Sequence, residues 1–171
     1  VSQRCTAILP IKQSNILLLE EDQCLHRTHM EEAAQLMREQ FRCRIEVTVN
    51  ISTAGYRTSE AEVVFFLAEI QENDMIGHWV CLHFNSCCQR IQIYDSCSNK
   101  SKKWKTSLLK QVTKLFGRAF STELMSSPQQ NGDTHCGLYT IANGLCICQN
   151  GHVPQSGYDQ QQMLRHLKQC I

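Results

Sequence analysis

A polar loop that runs without interruption into an apolar segment constrains the fold of this chain more than any other feature. Residues 126–137 have the sequence SSPQQNGDTHCG, which is rich in turn-forming residues, and residues 138–146 after it are mostly apolar. This pattern predicts a loop that delivers Cys136 to the first turn of a buried helix. With 171 residues, the chain has room for one core and is expected to form a single domain over residues 1–171.

The other segments of the chain show a mixture of helical and strand patterns. Apolar residues recur at helical spacing over residues 29–41, 108–116 and 158–170, which predicts three further helices. Strands are predicted at residues 45–51, 62–69, 78–84, 90–94 and 120–125, and residues 14–19 form a strand or a packed segment. Residues 96–105 are expected to be a polar, basic loop. The strands at 78–84 and 90–94 are close enough in sequence to form a hairpin, and the chain is predicted to be α+β.

Charge and hydropathy exclude several classes of partner. The chain carries 17 basic and 16 acidic residues, so no broad basic surface for nucleic acid is expected. The longest apolar run, residues 63–68, is far shorter than the roughly 20 residues that cross a bilayer, so no membrane segment is expected. The sequence opens with Val1-Ser2-Gln3-Arg4 and has no pattern typical of a secretory signal. We therefore expect a domain taken from a longer protein.

The eleven cysteines raise the question of disulfides or metal binding. An odd number without even spacing favours reduced thiols in an intracellular compartment, the nucleus or the cytoplasm, over a disulfide framework. The close pairs, Cys87-Cys88 and Cys146-x-Cys148, lack the spacing of zinc knuckles. We expect no metal site, and most of these thiols are expected to pack as small apolar side chains.

Cys136 differs from the other cysteines because it is placed at a predicted helix N-terminus. The helix dipole and the unpaired N–H groups of a first turn favour a thiolate over a thiol. The side chain of Gln130, six residues upstream, could donate to an oxyanion together with those N–H groups. A cysteine nucleophile also needs a base and an acceptor that orients the base. His78 begins one strand of the predicted hairpin and Asp95 follows the other, so the two can meet.

Each of these residues also has a purely structural interpretation. A histidine before a tryptophan at a strand start is commonly a surface or half-buried residue. An aspartate after a strand commonly caps a turn, and a Cys-Gly pair at a helix start can simply pack. The combination of all four residues in one chain, in a workable order, favours a catalytic site formed by His78, Asp95, Gln130 and Cys136.

Three motifs together resemble those of a known enzyme family. The motifs are Gly77-His78-Trp79-Val80, Ile93-Tyr94-Asp95-Ser96 and Gln130-x5-Cys136-Gly137-Leu138-Tyr139. They look like the motifs of the ubiquitin-like-protein-specific cysteine proteases, the Ulp and sentrin-protease family related to adenovirus protease. The chain order also fits, because papain-like enzymes place the nucleophile before the histidine, whereas this family has the order His, Asp, Gln, Cys. The resemblance spans roughly residues 15–171.

The resemblance implies a fold, a reaction and a role for each site residue. The fold is the adenain-like cysteine-proteinase fold, with a mixed, mostly antiparallel central sheet flanked by helices. Cys136 is the nucleophile, His78 the general base and acid, Asp95 the orienting acceptor and Gln130 the oxyanion donor. Trp79 lines a narrow channel for the Gly-Gly tail of ubiquitin or a ubiquitin-like modifier. The implied enzyme is a monomeric thiol protease or isopeptidase without a cofactor.

Two departures from the family pattern affect substrate choice. Members often have Trp-Leu-x-Asp ahead of the first helix, where this chain has Cys24-Leu25-His26-Arg27, so the resemblance does not specify the modifier. The residue before the nucleophile is often an aspartate and is His135 here, which puts a second imidazole near Cys136. These features are similar to those of the divergent, transposon-associated branch of the family.

Two other functions remain open from the sequence. The first is a catalytically weak module that still binds a modifier, although all four catalytic positions carry the expected residue types. The second is an acetyltransferase like the related bacterial effectors, which share the residue order but use acetyl-CoA. Such an enzyme is expected to carry a basic cofactor pocket, and only residues 100–105 offer one. We expect those residues to be a solvated loop.

Overall fold

The computed structural model describes residues 24–48, 62–70, 76–97, 102–116 and 120–170. These residues form helices and strands in the order α1 (Arg27–Phe41), β1 (Ile45–Thr48), β2 (Glu62–Ile70), β3 (Ile76–Asn85), β4 (Arg90–Tyr94), α2 (Lys102–Phe116), β5 (Ser121–Met125), α3 (Cys136–Asn150) and α4 (Gln160–Cys170). The α+β class is confirmed. The predicted element at residues 14–19 lies outside the described residues.

The strands form one sheet in the order β1-β2-β3-β4-β5. The central strands are antiparallel, since β3 pairs with both β2 and β4 in that orientation. The edge strands β1 and β5 each pair in parallel with their neighbour, so the sheet is mixed as predicted. The predicted hairpin of β3 and β4 is confirmed, with Cys81 opposite Tyr94 and Asn85 opposite Arg90.

Alternate residues of the central strands point into two separate cores. Val64 and Phe66 face a core that also contains residues of α1, α3 and α4. Phe65 and Leu67 face the other side, where α2 covers the sheet. The side-chain period of two along a strand therefore places helices on both faces of the sheet.

The mostly apolar sequence of α3 matches its position, because most of its residues up to Ile147 are buried. Two glycines let the helix lie close to its neighbours. A Cβ atom on Gly144 would stand 2.6 Å from Cε1 of Phe66 on β2, and one on Gly137 would stand 2.8 Å from Cβ of Leu25. The N-terminus of α3 is thereby held under the segment that precedes α1. None of the helices formed by the described residues is both long and apolar enough to span a membrane.

The starts of α1 and α2 differ from the predicted ones, whereas α3 begins at Cys136 as predicted. α2 begins at Lys102, so part of the predicted basic loop at residues 96–105 is helical. Lysine is a good helix former, and a search for apolar periodicity misses the polar first turn of such a helix. α1 begins at Arg27 after His26, whose backbone N–H donates to Nδ1 of His29 at 3.0 Å. Histidine is not among the preferred N-cap residues, so this start carried no sequence signal.

Candidate active site

Cys136 is the first residue of α3 and its side chain is 2% exposed. Its neighbours in sequence explain the position, since the apolar residues after it enter the core while the polar loop before it stays outside. Backbone N–H groups of Trp79 and Gly137 hydrogen-bond the sulfur, and the side chain of His78 does the same. The sulfur is therefore surrounded by donors that favour the thiolate.

His78 and Asp95 meet at the end of the hairpin of β3 and β4. Nε2 of His78 lies 2.8 Å from Oδ1 of Asp95, and both side chains are buried. The register explains the contact. Because Cys81 lies opposite Tyr94, the side chains of His78 and Asp95 are diagonal neighbours across the hairpin. Asp95 also accepts the backbone N–H of Cys97 at 2.9 Å. The carboxylate is thus fixed by its own turn as well as by the imidazole.

The electrostatics of the site favour a thiolate and an imidazolium. Burial disfavours a charged His78, but the hydrogen bonds and charges of Asp95 and Cys136 outweigh it and raise the pKa of His78 to about 9. Burial also disfavours a charged Cys136, but His78 and the backbone donors outweigh it and lower the pKa of the thiol. Within the site, the proton therefore belongs on the imidazole rather than on the sulfur.

Gln130 is tied to the end of β4 by Ser96. Its backbone N–H donates to the carbonyl of Ser96 at 2.9 Å, and the Ser96 hydroxyl donates to Oε1 of Gln130 at 2.7 Å. Nε2 of Gln130 donates to the carbonyl of Gly132 at 2.7 Å, where the backbone has a φ of +80°. An amide nitrogen carries two hydrogens, so one remains for a ligand. Ser96 is a site residue that the sequence analysis missed.

The loop before α3 is also held in place by side-chain hydrogen bonds. Asn143 of α3 is fully buried and donates from Nδ2 to Oγ of Ser127 at 3.1 Å. The hydroxyl of Tyr158 donates to Oδ1 of the same asparagine at 2.9 Å. Gln129 donates from Nε2 to the carbonyl of Asp95 at 3.1 Å. These bonds connect the loop to α3 and to Asp95, and they connect α3 to the segment before α4.

Trp79 is fully buried beside the site. Its indole N–H donates to the carbonyl of Leu25 at 2.8 Å, and Leu25 in turn lies against Gly137. Trp79 therefore fixes the segment that covers the start of α3, and its contact with a substrate stays a prediction. Cys24, where family members often have tryptophan, is an exposed residue. Partial burial of its sulfur and the negative charge of Cys136 raise the pKa of its thiol.

His135 precedes the nucleophile position and is half-buried. Its Nδ1 lies 3.3 Å from Oγ1 of Thr134. The ten cysteines in the described part of the chain are free thiols. Within the same residues, no group of three or more histidine, cysteine, aspartate or glutamate side chains is arranged to hold a metal ion.

Comparisons with known proteins point to one family. The model of the Ulp1 protease family, C-terminal catalytic domain, matches residues 47–167. This range contains all four predicted catalytic residues and Trp79. A search of curated proteins finds no match to the sequence.

Several solved structures share the fold. The C-terminal Ulp1 protease domain in complex with Smt3, the yeast ortholog of SUMO, has a TM-score of 0.64 and 17% identity, with 88% of this chain and 76% of that chain covered. The effector XopD of Xanthomonas campestris bound to ubiquitin has a TM-score of 0.60 and 13% identity, with 92% and 97% covered. The SUMO protease Ulp1 with its catalytic cysteine oxidised to a sulfinic acid has a TM-score of 0.60 and 15% identity, with 86% and 75% covered. The adenain-like fold expected from the motifs is confirmed by these similarities.

Proposed function

The chain belongs to the Ulp1 protease family and is a cysteine-type peptidase, and on that premise we propose that it cleaves after the C-terminal Gly-Gly of ubiquitin or a ubiquitin-like modifier. The observation that carries this proposal is that His78 hydrogen-bonds both Asp95 and Cys136. A base between an orienting carboxylate and a thiol at a helix N-terminus is the arrangement that cysteine hydrolysis requires.

Catalysis begins with attack of the Cys136 sulfur on the carbonyl carbon of the terminal glycine. Because Nε2 of His78 is bound to Asp95, Nδ1 is the nitrogen that faces the reaction. The imidazolium passes its proton to the leaving amine, and a thioester remains on the sulfur. His78 then takes a proton from water, which attacks the thioester and releases the carboxylate of the modifier.

The developing oxyanion is stabilised by Gln130 and by the backbone N–H of Cys136. Preorganised donors of this type usually contribute more than any other single effect in acyl transfer. Ser96 acts as a positioning residue, because it fixes Oε1 of Gln130 and so determines where the amide hydrogens point. We propose that the segment held by the contact of Trp79 with Leu25 borders a narrow channel beside the sulfur, which a tail without side chains would fit.

The modifier class is left open by the similar structures, which hold Smt3 in one case and ubiquitin in another. The chain also has Cys24 where family members that contact substrate often have tryptophan. We propose that the domain acts as a monomer in a reducing compartment, the nucleus or the cytoplasm, since its thiols need to stay reduced.

A panel of modifiers tests the proposal. Ubiquitin, a SUMO-type and a NEDD8-type modifier, each with a fluorogenic amide after Gly-Gly, are incubated with the wild type and with Cys136→Ala. We expect hydrolysis of at least one of them, which the alanine variant lacks. Binding of a modifier without hydrolysis would favour the binding module. Transfer of acetyl from acetyl-CoA to Cys136, without hydrolysis, would favour the acetyltransferase and overturn the proposal.

A further inference from the structure

Two cysteines away from the proposed active site lie in direct contact. The sulfurs of Cys43 and Cys148 are 2.7 Å apart, well inside the normal contact distance of two sulfurs that are not bonded to each other. Cys43 follows the end of α1, and Cys148 lies in the last turn of α3. A disulfide needs a sulfur separation near 2.05 Å. The two thiols can therefore be joined by a small change of rotamer.

The backbone on both sides of this pair is well anchored. Arg42, just before Cys43, has a left-handed conformation with its N–H bound to the carbonyl of Arg38. The Arg38 guanidinium then donates from Nε to the carbonyl of Ile45 at 2.8 Å, which closes the turn around Cys43. Gly151 caps α3 with its N–H on the carbonyl of Ile147, next to Cys148. The two sulfurs thus meet between the end of α1 and the end of α3, and hydrogen bonds hold the backbone at both ends.

A small oxidant can reach the pair from outside. Both cysteines are partly exposed and line a surface cavity of about 260 Å³, many times the volume of a peroxide molecule. Arg42, Arg44 and His83 also line this cavity. By contrast, Cys81 is fully buried. Access therefore distinguishes Cys43 and Cys148 from the thiols of the inner core.

The two sulfurs have different chemical characters. The hydrogen bond with Cys148 lowers the pKa of Cys43, and although burial raises it, the Arg38 charge adds to the lowering. The same hydrogen bond and burial raise the pKa of Cys148. The thiolate is the nucleophile toward peroxides, so Cys43 is the sulfur that reacts first.

We propose that Cys43 and Cys148 form a redox-active dithiol that a hydroperoxide converts into an intramolecular disulfide. The Cys43 sulfur attacks the peroxide O–O bond and becomes a sulfenic acid, and the first water leaves with the thiol proton. The Cys148 sulfur then displaces the hydroxyl group, which leaves as a second water with the remaining thiol proton. Two thiols lose two electrons in total to one hydrogen peroxide molecule. The proposal does not depend on the identity of the substrate.

Peptide mapping of the oxidised protein tests this directly. The chain carrying Cys136→Ala, which removes the reactive thiol of the active site, is treated with a small excess of hydrogen peroxide. Remaining thiols are alkylated and the protein is digested without reductant. We expect a peptide that joins Cys43 to Cys148, and dithiothreitol should return both as alkylatable thiols. Separate oxidation of the two sulfurs to sulfinic acids, or oxidation of the exposed Cys87 and Cys88 alone, would overturn the proposal.

Single substitutions assign the cross-link. Cys43→Ser and Cys148→Ser should each abolish it, whereas Cys146→Ser, two residues from Cys148, should leave it intact. A cross-link that survives Cys43→Ser contradicts the pairing.

A melting experiment gives a second readout on the same protein. The two cysteines are 105 positions apart in sequence, and closing a loop of that length restricts the unfolded chain. The peroxide-treated protein should melt roughly 5 to 15 °C higher than the reduced one. Reduction should reverse the shift, and Cys43→Ser should show none. An unchanged melting temperature in the treated parent protein contradicts the proposal.

Discussion

The protonation state of His78 determines the charges of the proposed active site. Its buried imidazole holds a proton between two negative partners, the carboxylate of Asp95 and the sulfur of Cys136, and its pKa is about 9. The thiol has the opposite shift, with its pKa lowered. Between the two pKa values the site holds a thiolate and an imidazolium, which are the nucleophile and the proton donor of the first step.

Replacement of Asp95 by asparagine tests the source of the raised pKa. Without the carboxylate, burial lowers the pKa of His78, so the imidazolium is lost at a lower pH. In the wild type, kcat/KM should fall as the pH rises through about 9. In Asp95→Asn this decline should begin at lower pH, and the maximum should fall roughly 10²- to 10⁴-fold.

The matched control is Glu123→Gln, which neutralises an exposed carboxylate on β5 and should keep the wild-type pH profile. If Asp95→Asn kept the decline near pH 9, the role of Asp95 would be wrong.

Substitution of Ser96 tests the positioning of the oxyanion donor. Ser96→Ala removes the hydroxyl that fixes Oε1 of Gln130, so the amide can rotate away from the reacting carbonyl. We expect kcat to fall roughly tenfold with KM nearly unchanged, because the lost interaction stabilises mainly the transition state. Gln130→Ala should cost more, about 10²- to 10³-fold in kcat.

Two further variants separate positioning from general damage. Ser96→Thr keeps the hydroxyl and should restore most of kcat, and Ser156→Ala removes an exposed hydroxyl and should change nothing. A rise in KM with an unchanged kcat in Ser96→Ala would show that Ser96 binds substrate instead.

The sequence indicates some side chains of the site much better than others. Cys136, His78, Asp95 and Gln130 could be predicted, because their chemistry is distinctive and each is placed next to a clear strand or helix pattern. Ser96 could not, because a serine after an aspartate is common and its partner is 34 positions away in sequence. The role of Leu25 could not be predicted for a similar reason, since its contact with Trp79 spans 54 positions in sequence.

Helix α3 controls how the nucleophile is placed relative to the sheet. The helix packs against β2 and β3, and Gly144 allows this close approach because a side chain there would collide with Phe66. The ring belongs to a fully buried residue and has little room to move. The helix position, and with it the height of Cys136 above His78, depends on this glycine.

Gly144→Ala should destabilise the domain despite the better helix propensity of alanine. Alanine gains about 1 kcal/mol over glycine in a helix, but overpacking against the Phe66 ring at 2.6 Å costs about 1–3 kcal/mol. We expect a net loss of up to about 2 kcal/mol in the free energy of unfolding, measured by urea denaturation. Phe66→Leu in the same chain should recover part of that loss.

Gly157→Ala is the control, because nothing lies within 4 Å of a Cβ atom built there. A Gly144→Ala variant more stable than the parent by the roughly 1 kcal/mol that helix propensity alone gives would contradict the packing described for α3.

Elements were predictable where apolar periodicity or strand alternation marks them. The first turn of α2 carries lysines instead, and its helical state depends on propensity and on the residues that follow. The direction of the edge strands β1 and β5 was also not predictable. Parallel or antiparallel pairing depends on how the chain crosses between strands, which local patterns do not encode.

The sheet separates the core that contains Cys136 from the core that α2 covers. Trp79, Cys136 and α1 belong to the first core, whereas α2 covers the second. The two cores share only the strands, so damage to the second should reach Cys136 only through those strands.

Leu108→Ala tests this division. The side chain is 1% exposed in the second core, and its truncation should lower the free energy of unfolding by about 2–4 kcal/mol. At a temperature where the variant is still folded, kcat/KM should stay within about twofold of the wild type, since Leu108 belongs to the core that does not contain Cys136.

Leu124→Ala, at a leucine that is 43% exposed on β5, is the matched control and should cost less than about 1 kcal/mol. A large loss of kcat/KM in folded Leu108→Ala would contradict the separation of the two cores.

The identity of the nucleophile is best tested by locating the covalent adduct that a modifier leaves on the protein. A ubiquitin-like modifier with an electrophile in place of its terminal carboxylate is incubated with the reduced chain, and the adduct is mapped by mass spectrometry. The proposed mechanism predicts one modifier per chain, attached to the sulfur of Cys136 and absent from Cys136→Ala. An adduct on another thiol, or one that persists in Cys136→Ala, would contradict it.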